Sequence, residues 1–459
     1  MKQRKSILLI ITVLMIAVAS CSKESLHGDD FNHVIRPNKD TSMRVPTPEK
    51  RNVMLLYSAG FNSLSGFLSE DINDLMKGWL PGSGRNSNVL LVYSHTTKYR
   101  GNYQEPNAPT LTRIYKRLDG TTVLDTLVRY PDHTHSATAE QLHTVLSYVY
   151  ENFPAKSYGM VFSSHATGYL PSGYYSNPYN YQYMPKSGML YRGGRKEYQS
   201  QPVPYIEPVY NPSHPAVKSI GQDQEGVYMD YVSYEIELDD FADALPMKMD
   251  YILFDACLMG GVEVAYELKD KCRLVGFSQT EVLAEGFDYT AIAGHLLGSE
   301  TPDPQSVCED FFNQYDKMTG IFHSATISVV DCTKMEPLAE VCRELFDKYG
   351  DILEDLDPGD HWEADQSKVI QRYFRSSYHW FYDLKDIIVK AGATEEEIQK
   401  VQDALDECIQ YKAATPEFME EFPIITYSGL SMYLPSDGSS ELDRYYQTLK
   451  WNKATALVK

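Results

Sequence analysis

Six short runs of consecutive apolar residues recur along the chain. They are VMLLY (53–57), NVLLVYS (88–94), YGMVFSS (158–164), DYILFDA (250–256), RLVGFS (273–278) and SATISVV (324–330). Each run is rich in Val, Ile, Leu and aromatic residues, and it is apolar nearly throughout rather than at every second position. Continuous apolarity predicts strands that are buried on both faces, as in a parallel sheet.

Helical stretches are predicted between these runs. They cover about 63–77, 139–152 and 258–269. Further along, Thr394 and Glu397 have the spacing of a capping box, which predicts that a helix begins there. A last apolar run, GLSMYLP (429–435), predicts a strand that returns to the sheet. The alternation of strands and helices predicts an α/β fold, a three-layer α-β-α sandwich with a mostly parallel sheet and a helical C-terminal region.

The chain divides into segments of different composition. Residues 1–20 combine a basic start with an apolar run too short to span a membrane, which is typical of a signal peptide. Residues 21–50 are polar and predict a flexible tether. Residues 51–300 are expected to form the domain core, with a Tyr-rich insert at 169–235. Residues 301–459 are expected to be mainly helical and to complete the sheet.

The predicted signal peptide ends in a sequence typical of lipid attachment. Val18-Ala19-Ser20-Cys21 resembles the lipobox of bacterial lipoproteins. The resemblance implies cleavage before Cys21, lipid on its sulfur, and a place in the bacterial cell envelope. There the protein would be membrane-anchored, either periplasmic or surface-exposed. The alternative is an ordinary signal peptide followed by a chance cysteine.

The charge and the cysteine spacing exclude several classes of partner. The chain has 459 residues, a formal net charge of −21 and a pI of about 5.0. Because binding of nucleic-acid phosphates needs Lys and Arg, we expect no nucleic-acid partner. The six cysteines after Cys21 are spaced irregularly, with neither a disulfide framework nor a metal-ligand pattern. We expect a monomer that requires no cofactor.

Two residues that can carry chemistry stand directly after two predicted strands. YGMVFSS runs into His165, and DYILFDA runs into Cys257. In parallel α/β sheets the functional crevice lies beyond the carboxyl ends of the strands, so both residues are expected at one edge. An imidazole can activate a thiol, and a helix beginning after Cys257 would favour the thiolate further. Taken alone, each residue is more commonly an ordinary buried cysteine or histidine.

The sequence around both residues points to a known family. SSHATGY (163–169) and FDACLMGGVE (254–263) resemble the two signature stretches of the clostripain family of cysteine peptidases. Three more stretches resemble the family's opening strand and acidic helix, its substrate-strand region and a C-terminal motif, in the same order. They are VMLLYSAGFNSLSGFLSEDINDLM (53–76), FSQTEVLAEGFDY (277–289) and GLSMYLP (429–435). The resemblance implies a caspase-like sheet and an endopeptidase that acts on proteins or peptides.

The resemblance also implies roles for single residues. Cys257 is the nucleophile, and His165 is its acid–base partner in a dyad. The backbone N–H groups of Cys257 and Ala166 form the oxyanion hole. The family usually has Gly where this chain has Ala166, which matters if that position needs a positive φ. Tyr169 stands where the family tends to have Trp. No third residue that orients His165 can be named from the sequence.

Acidic residues near the nucleophile are candidates for substrate binding. Asp255 lies two positions before Cys257, on the same side of the predicted strand. A carboxylate there would raise the thiol pKa, so we interpret it as the floor of a pocket for a cationic side chain. The resemblance agrees, because it implies cleavage after Arg or Lys. Glu281 and Glu285 are candidates for a second acid. The alternatives are a helix N-cap for Asp255 and solvated loop acids for both glutamates.

The Tyr-rich insert lies between the two catalytic candidates. It contains four basic residues, Lys186, Arg192, Arg195 and Lys196. Members of the family can be activated by self-cleavage in this interval, so the resemblance makes these residues self-cleavage candidates. The alternative is an aromatic surface loop with incidental basic residues, since the segment 169–210 has no clear period.

Two hypotheses concern ligands other than substrate. The resemblance implies that Ca²⁺ is an optional ligand, with Asp239 and Asp240 among the candidate acids, although EF-hand spacing is missing from the sequence. The competing functional hypothesis is a surface lipoprotein that has lost turnover and binds peptide or glycan through its aromatic insert. Ala166 and the density of tyrosines motivate this second hypothesis.

Overall fold

The computed structural model describes most of the chain. The described residues are 33–34, 50–84, 87–100, 103–174, 190–192, 195–197, 203–205, 221–227, 230–359, 363, 365–375 and 379–459. The signal peptide, Cys21, most of the tether and Lys186 of the insert lie outside them. Within the described ranges, no helix has both the length and the apolarity needed to cross a membrane.

The strands of the described part are numbered in chain order. They are β1 (His33–Val34), β2 (Asn52–Gly60), β3 (Val89–Arg100), β4 (Tyr103–Pro106), β5 (Thr110–Lys116), β6 (Thr122–Arg129), β7 (Ser157–Ser163), β8 (Leu190–Arg192), β9 (Arg195–Glu197), β10 (Val203–Tyr205), β11 (Asp223–Val227), β12 (Asp230–Tyr234), β13 (Met249–Asp255), β14 (Cys272–Phe277), β15 (Thr326–Asp331), β16 (Tyr382–Asp383), β17 (Ile409–Ala414), β18 (Glu417–Phe418), β19 (Phe422–Pro423) and β20 (Ser431–Met432).

One sheet of 14 described strands forms the centre of the fold. Its order is β10-β12-β11-β4-β3-β2-β7-β13-β14-β15-β17, and β5, β6 and β1 branch from β3. The central strands β3, β2, β7, β13 and β14 run parallel. Outside them, β15 and β17 pair antiparallel on one side, and β4 and β5 on the other. The mostly parallel sheet predicted from the sequence is therefore confirmed.

Burial of the central strands explains their sequence. Every residue of β2 and of β7 is buried. Because successive side chains of a strand point to opposite faces, burial without alternation requires cover on both faces. The six apolar runs correspond to β2, β3, β7, β13, β14 and β15, so each predicted strand is present.

The helices are also numbered in chain order. They are α1 (Ser65–Lys77), α2 (Ala139–Asn152), α3 (Leu238–Ala244), α4 (Val262–Glu267), α5 (Tyr289–Leu297), α6 (Pro304–Asp316), α7 (Glu336–Asp355), α8 (Leu384–Lys390), α9 (Glu395–Cys408), α10 (Ser440–Tyr446) and α11 (Lys450–Thr455).

The helices pack in two groups against the sheet. In one group α1 contacts α5 and α5 contacts α6; in the other α2 contacts α3 and α3 contacts α4. Helix α11 joins α4 to α7, which in turn packs on α9. With both faces of the central strands buried, this arrangement is the predicted three-layer sandwich. The capping box is also confirmed, because Thr394 and Glu397 exchange hydrogen bonds at the start of α9.

The prediction for GLSMYLP (429–435) is wrong. Only Ser431–Met432 is a strand, and it pairs with β16 in a separate two-stranded sheet. The run is apolar because it is buried beside α4 rather than within the central sheet. There the Tyr433 N–H donates a hydrogen bond of 2.9 Å to the Glu263 carboxylate.

The predicted start of the third helix is also wrong. Helix α4 begins at Val262 rather than at Leu258. The residues before it pair with the chain that follows β14. Leu258 N–H donates to Thr280 O at 2.9 Å, and Gly260 N–H donates to Ser278 O at 2.7 Å. These backbone contacts, together with the positive φ of Leu258, prevent this segment from starting a helix.

The described parts of the insert are short strands rather than one irregular loop. Strands β8 and β9 form a hairpin, and β12 and β11 connect β10 to β4 at one side of the sheet. The first residues of the insert contradict the surface-loop interpretation, because Tyr169 and Tyr174 are buried. At the far end, Asp223 is buried and its carboxylate accepts N–H hydrogen bonds from Ser136 and Ala137.

Candidate active site

His165 and Cys257 follow two strands that are direct neighbours. Strands β7 and β13 run parallel, and their last registered pair is Ser163 with Asp255. His165 and Cys257 each lie two residues beyond that pair. Since neighbouring strands are about 4.8 Å apart, the imidazole and the thiol leave the sheet at the same level of the same edge. The two residues are 92 positions apart in sequence, and this register brings them to the same edge of the sheet.

The thiol is held by the backbone of the segment that follows β14. Val282 N–H donates to Cys257 Sγ at 3.1 Å, and the thiol donates to Val282 O at 3.7 Å. An N–H donor at sulfur stabilises the thiolate relative to the thiol. This donor replaces the one that the sequence predicted from a helix beginning at Leu258. Because α4 begins only at Val262, its N-terminus does not adjoin the thiol.

The loops after β7 and β13 are packed tightly against each other. Leu258 has a φ of 58°, a conformation that costs a residue with a Cβ about 1–2 kcal/mol. Gly168 also has a positive φ, of 58°, and a Cβ on it would lie 2.5 Å from Leu258 O. Only glycine fits at position 168. The conformation of the loop that carries His165 and that of the loop that carries Cys257 are therefore coupled.

Ser63 provides a polar partner for the imidazole. Its Oγ lies 2.9 Å from His165 Nε2. Ser63 follows β2, the other neighbour of β7, and so reaches the same edge of the sheet. The sequence analysis missed this residue. The signal that could have found it is its position just after a predicted central strand.

The site is closed in this conformation. Cys257 is 1% exposed and His165 is 6% exposed. Little of the sulfur or of the imidazole is therefore open to solvent in this conformation.

Ala166 is compatible with the local backbone. Ala166 is buried, and its φ is not positive. The Cβ of Ala166 therefore causes no strain of the left-handed kind. Nearby, Tyr169 fills a buried aromatic cluster and donates its hydroxyl to Trp380 O at 2.7 Å.

Asp255 lies at the base of the site. It is fully buried at the end of β13, where its Oδ2 accepts hydrogen bonds from the hydroxyls of Ser163 at 3.0 Å and Tyr289 at 2.7 Å. The N-cap of α4 is Gly261, so the helix-cap alternative for Asp255 is wrong. The buried carboxylate stands two residues before Cys257, as the sequence indicates.

The two glutamates of the substrate-strand region differ in environment. Glu281 is buried beside Val282, and its carboxylate is bound by Arg375. Glu285 is exposed to solvent. Of these two candidates, only Glu281 lies directly next to the segment that contacts the thiol.

The self-cleavage candidates belong to the insert, of which the structure describes only parts. Lys186 is outside them. Arg192 and Arg195 face each other in register at the turn of the β8–β9 hairpin, and Lys196 follows. The role of these residues in self-cleavage stays a prediction.

The cysteines of the described ranges other than Cys257 are poor nucleophiles. All six cysteines there, Cys257 included, are free and buried. Burial raises the pKa of the thiols of Cys272, Cys308, Cys332 and Cys342, and it raises that of Cys408 to about 12. These five thiols are protonated at neutral pH and poor nucleophiles. None of them lies at the sheet edge that carries His165.

Metal ligation has no obvious place in the described ranges. These ranges hold no group of three or more His, Cys, Asp or Glu side chains arranged for a metal ion. Asp239 and Asp240 lie in the first turn of α3, where Asp239 accepts the N–H of Asp240. These two residues do not form a ligand set there.

A thiol and an imidazole at the carboxyl edge of a parallel, helix-covered sheet are typical of a cysteine peptidase with a caspase-like fold. The family model described as the clostripain family, Peptidase_C11, matches residues 56–180 and 209–458. The chain belongs to the clostripain family and is a cysteine-type peptidase.

Three solved structures share this architecture. An inactive zymogen C11 protease from Parabacteroides distasonis is 27% identical, with a TM-score of 0.64, and the match covers 90% of this chain and 99% of that one. A secreted C11 cysteine protease from Bacteroides thetaiotaomicron is 23% identical, with a TM-score of 0.64 and coverage of 89% and 100%. A complex of a secreted C11 cysteine protease from that organism with an irreversible peptide inhibitor is 22% identical, with a TM-score of 0.63 and coverage of 89% and 99%. No curated protein sequence matches the chain.

Proposed function

We propose that this protein is an endopeptidase in which Cys257 and His165 form the catalytic dyad. The observation that carries the proposal is the register of β7 and β13, which brings both residues two positions beyond one strand pair. The Val282 N–H at 3.1 Å from the sulfur gives further support, because it is in place to donate to the sulfur when Cys257 is a thiolate.

The dyad performs acyl transfer in two steps. The Cys257 thiolate forms a C–S bond to the scissile carbonyl carbon, whose electron pair moves to the oxygen. As that pair returns, the C–N bond breaks, and His165 gives its proton to the leaving amine. His165 then takes a proton from water, which attacks the thioester, and the C–S bond breaks to release the acid. The backbone N–H groups of Ala166 and Cys257 are the proposed donors to the oxyanion.

The proposed substrates carry Arg or Lys before the scissile bond. Support comes from Asp255, a carboxylate buried at the base of the site two residues before Cys257. Its Oδ2 accepts hydrogen bonds from the hydroxyls of Ser163 and Tyr289, which hold the carboxyl group in place. A cationic side chain is the natural counter-charge for such a group. Glu281 and Glu285 are the proposed further acids of the substrate region.

Self-processing between His165 and Cys257 is part of the proposal. The dyad is closed, and a neighbouring structure of 27% identity is an inactive zymogen. A cut in the insert would release chain from beside His165. Lys186, Arg192, Arg195 and Lys196 are the proposed positions.

We place the protein in the bacterial envelope. Support comes from the lipobox ending in Cys21 and from a related C11 protease that is secreted. The proposed anchor is lipid on Cys21, and the proposed form is a monomer.

A cleavage profile tests the activity and its specificity together. Purified protein is incubated with a peptide mixture, and the new termini are identified by mass spectrometry. We expect cuts after Arg and Lys, and a loss of at least about 10³-fold in rate for the Cys257→Ala variant. A denaturing gel of both incubated forms shows whether the wild type, but not Cys257→Ala, separates into two fragments.

Different results refute different parts. Equal cleavage by both forms would remove Cys257 from its role. Cuts without a basic preference would leave the dyad in place and remove Asp255 from specificity. Fragments from both forms, or from neither, would end the self-processing hypothesis.

A further inference from the structure

The carboxylate of Glu281 is bound by a guanidinium from a distant part of the chain. Arg375 Nε lies 3.0 Å from Glu281 Oε1 and 2.8 Å from Oε2. The Glu281 side chain is 3% exposed, and that of Arg375 is 23% exposed. Attraction between charges is stronger at such a shielded position than at an open surface. Removing one partner there has a larger effect than it has for an exposed pair.

This ion pair lies next to the candidate nucleophile. Glu281 directly precedes Val282, whose N–H and carbonyl both contact Cys257 Sγ. The ion pair therefore lies one residue from the backbone groups that contact the sulfur. The pair also belongs to the segment that the proposed function assigns to substrate binding.

Arg375 belongs to a folded-back segment that packs on the His165 loop. In this segment, 372–382, Tyr373 N–H donates to Phe381 O at 2.8 Å, and Arg372 pairs with Tyr382. Residues 376–378 of this segment lie outside the described residues. The Phe381 ring contacts Gly168, where a Cβ would lie 2.7 Å from Cε1. The 372–382 segment thus packs on the loop that carries His165, while Arg375 binds the segment that contacts Cys257.

We infer that Arg375 is a specificity-determining residue that occupies Glu281 in the resting enzyme. A basic substrate side chain must displace the Arg375 guanidinium before Glu281 can bind it. Asp255 then remains the acid that a basic side chain can bind directly. The Arg375–Glu281 pair limits how much Glu281 adds to the preference for a basic side chain. This inference rests on the proposed function, since it deepens the preference for Arg and Lys.

Matched substrates measure the effect. Two peptides differ only at the residue before the scissile bond, which is Lys in one and its uncharged analogue norleucine in the other. In the Arg375→Gln variant we expect the ratio of kcat/KM for Lys over norleucine to rise about tenfold, mainly through KM for the Lys peptide. Arg375→Lys, which keeps the charge, stays closer to wild type. In Glu281→Gln/Arg375→Gln the rise disappears.

A chemical probe reports on the charge beside the sulfur without any substrate. Cys257 is alkylated by anionic iodoacetate and by neutral iodoacetamide at the same pH. Both reagents react with the same thiolate, so the ratio of their rates cancels any change in thiol pKa. Loss of the guanidinium leaves Glu281 to repel iodoacetate. We expect the iodoacetate-to-iodoacetamide ratio to fall about tenfold in Arg375→Gln, with Cys257→Ala as the labelling blank.

The control is an equivalent substitution at an exposed ion pair. Arg444→Gln removes the surface pair with Glu441 on α10 and is expected to keep both wild-type ratios. An unchanged or lower Lys-to-norleucine ratio in Arg375→Gln overturns the inference, as does a rise that persists in the double variant. A wild-type enzyme with no preference for Lys over norleucine instead refutes the basic specificity of the proposed function, and the alkylation ratio still reports on the pair. Thermal unfolding of each variant verifies that it is folded.

Discussion

At the scale of single residues, the site is made of contacts that the sequence does not display. Leu258 adopts a left-handed backbone, and Gly168 leaves the space that this conformation needs. Strain of this kind persists only where the surroundings impose it, and it is concentrated at functional sites. Ser63 adds a hydroxyl within 2.9 Å of His165 Nε2. Ser63 belongs to the loop after β2, so the loops after three parallel strands contribute residues to the proposed site.

Ser63 is expected to act as a positioning residue for the imidazole. A hydrogen bond of this kind contributes about 1 kcal/mol, so Ser63→Ala is expected to lower kcat about fivefold with little change in KM. The pH–rate profile is expected to shift on its imidazole limb, and Ser63→Thr is expected to restore both values. Ser69→Ala, on α1 and bonded only to Ser65 O in the described contacts, is the matched control. An unshifted pH profile with normal kcat would show that Ser63 has no role.

At the scale of elements, the short helix α4 connects the catalytic loop to the C-terminal region. Its Glu263 is fully buried, and its Oε1 accepts hydrogen bonds from Tyr433 N–H at 2.9 Å and the Tyr446 hydroxyl at 2.7 Å. Burial raises the pKa of Glu263 to about 7, and these hydrogen bonds lower it only in part. The Glu263 carboxyl group thus holds the apolar run 429–435 to α4, and α4 begins five residues after Cys257.

The pKa of Glu263 makes the stability of the protein depend on pH. The folded state binds a proton at Glu263 more tightly than the unfolded chain does. This stabilisation is complete below about pH 4.5 and is lost as the pH rises to about 7. We expect the free energy of unfolding to fall by about 3 kcal/mol over that range because of this group.

Denaturant unfolding at several pH values measures this dependence. Glu263→Gln, which keeps the shape without the proton, is expected to remove the decrease. Glu340→Gln, at an exposed position of α7, is expected to leave it unchanged. The assignment fails if wild type and Glu263→Gln show the same slope against pH.

At the scale of the whole molecule, the sheet holds together chain segments on either side of the insert. Strands β7 and β13 pair directly, although the insert separates them in sequence. The end of the insert is held as well, since Gln224 N–H donates to Phe61 O at 2.7 Å and Asp223 accepts from Ser136 and Ala137. The continuity of the chain between Tyr205 and Gly221 is therefore not needed for the sheet.

A single cut in the insert is expected to leave one particle. A recognition sequence for a specific protease is placed between Tyr205 and Gly221 in the Cys257→Ala background, which prevents self-cleavage. After digestion we expect two fragments on a denaturing gel and one peak of unchanged volume in size-exclusion chromatography. The fragments should separate only in denaturant, because their contacts are the buried strand pairs. Separation in native buffer would contradict the proposed arrangement.

The sequence predicted the parallel strands at the centre of the sheet and the two residues that we propose as the dyad. Runs such as those of β7 and β13 are apolar throughout because both faces are covered, and this local signal needs no tertiary information. The motif FDACLMG likewise identifies Cys257 and a family. What it could not provide were contacts between segments far apart in the chain, such as Ser63 with His165 and Arg375 with Glu281.

Only the tertiary structure decided how the site is completed. Leu258 adopts a left-handed turn conformation rather than a helical one, and its N–H donates to the carbonyl of Thr280, a residue that local helix propensity does not take into account. The run 429–435 is apolar for the same reason as a central strand, yet it packs beside α4 and pairs with β16. The hydrophobicity of a run predicts that it is buried. The element that it packs against depends on which surfaces the folded chain brings together.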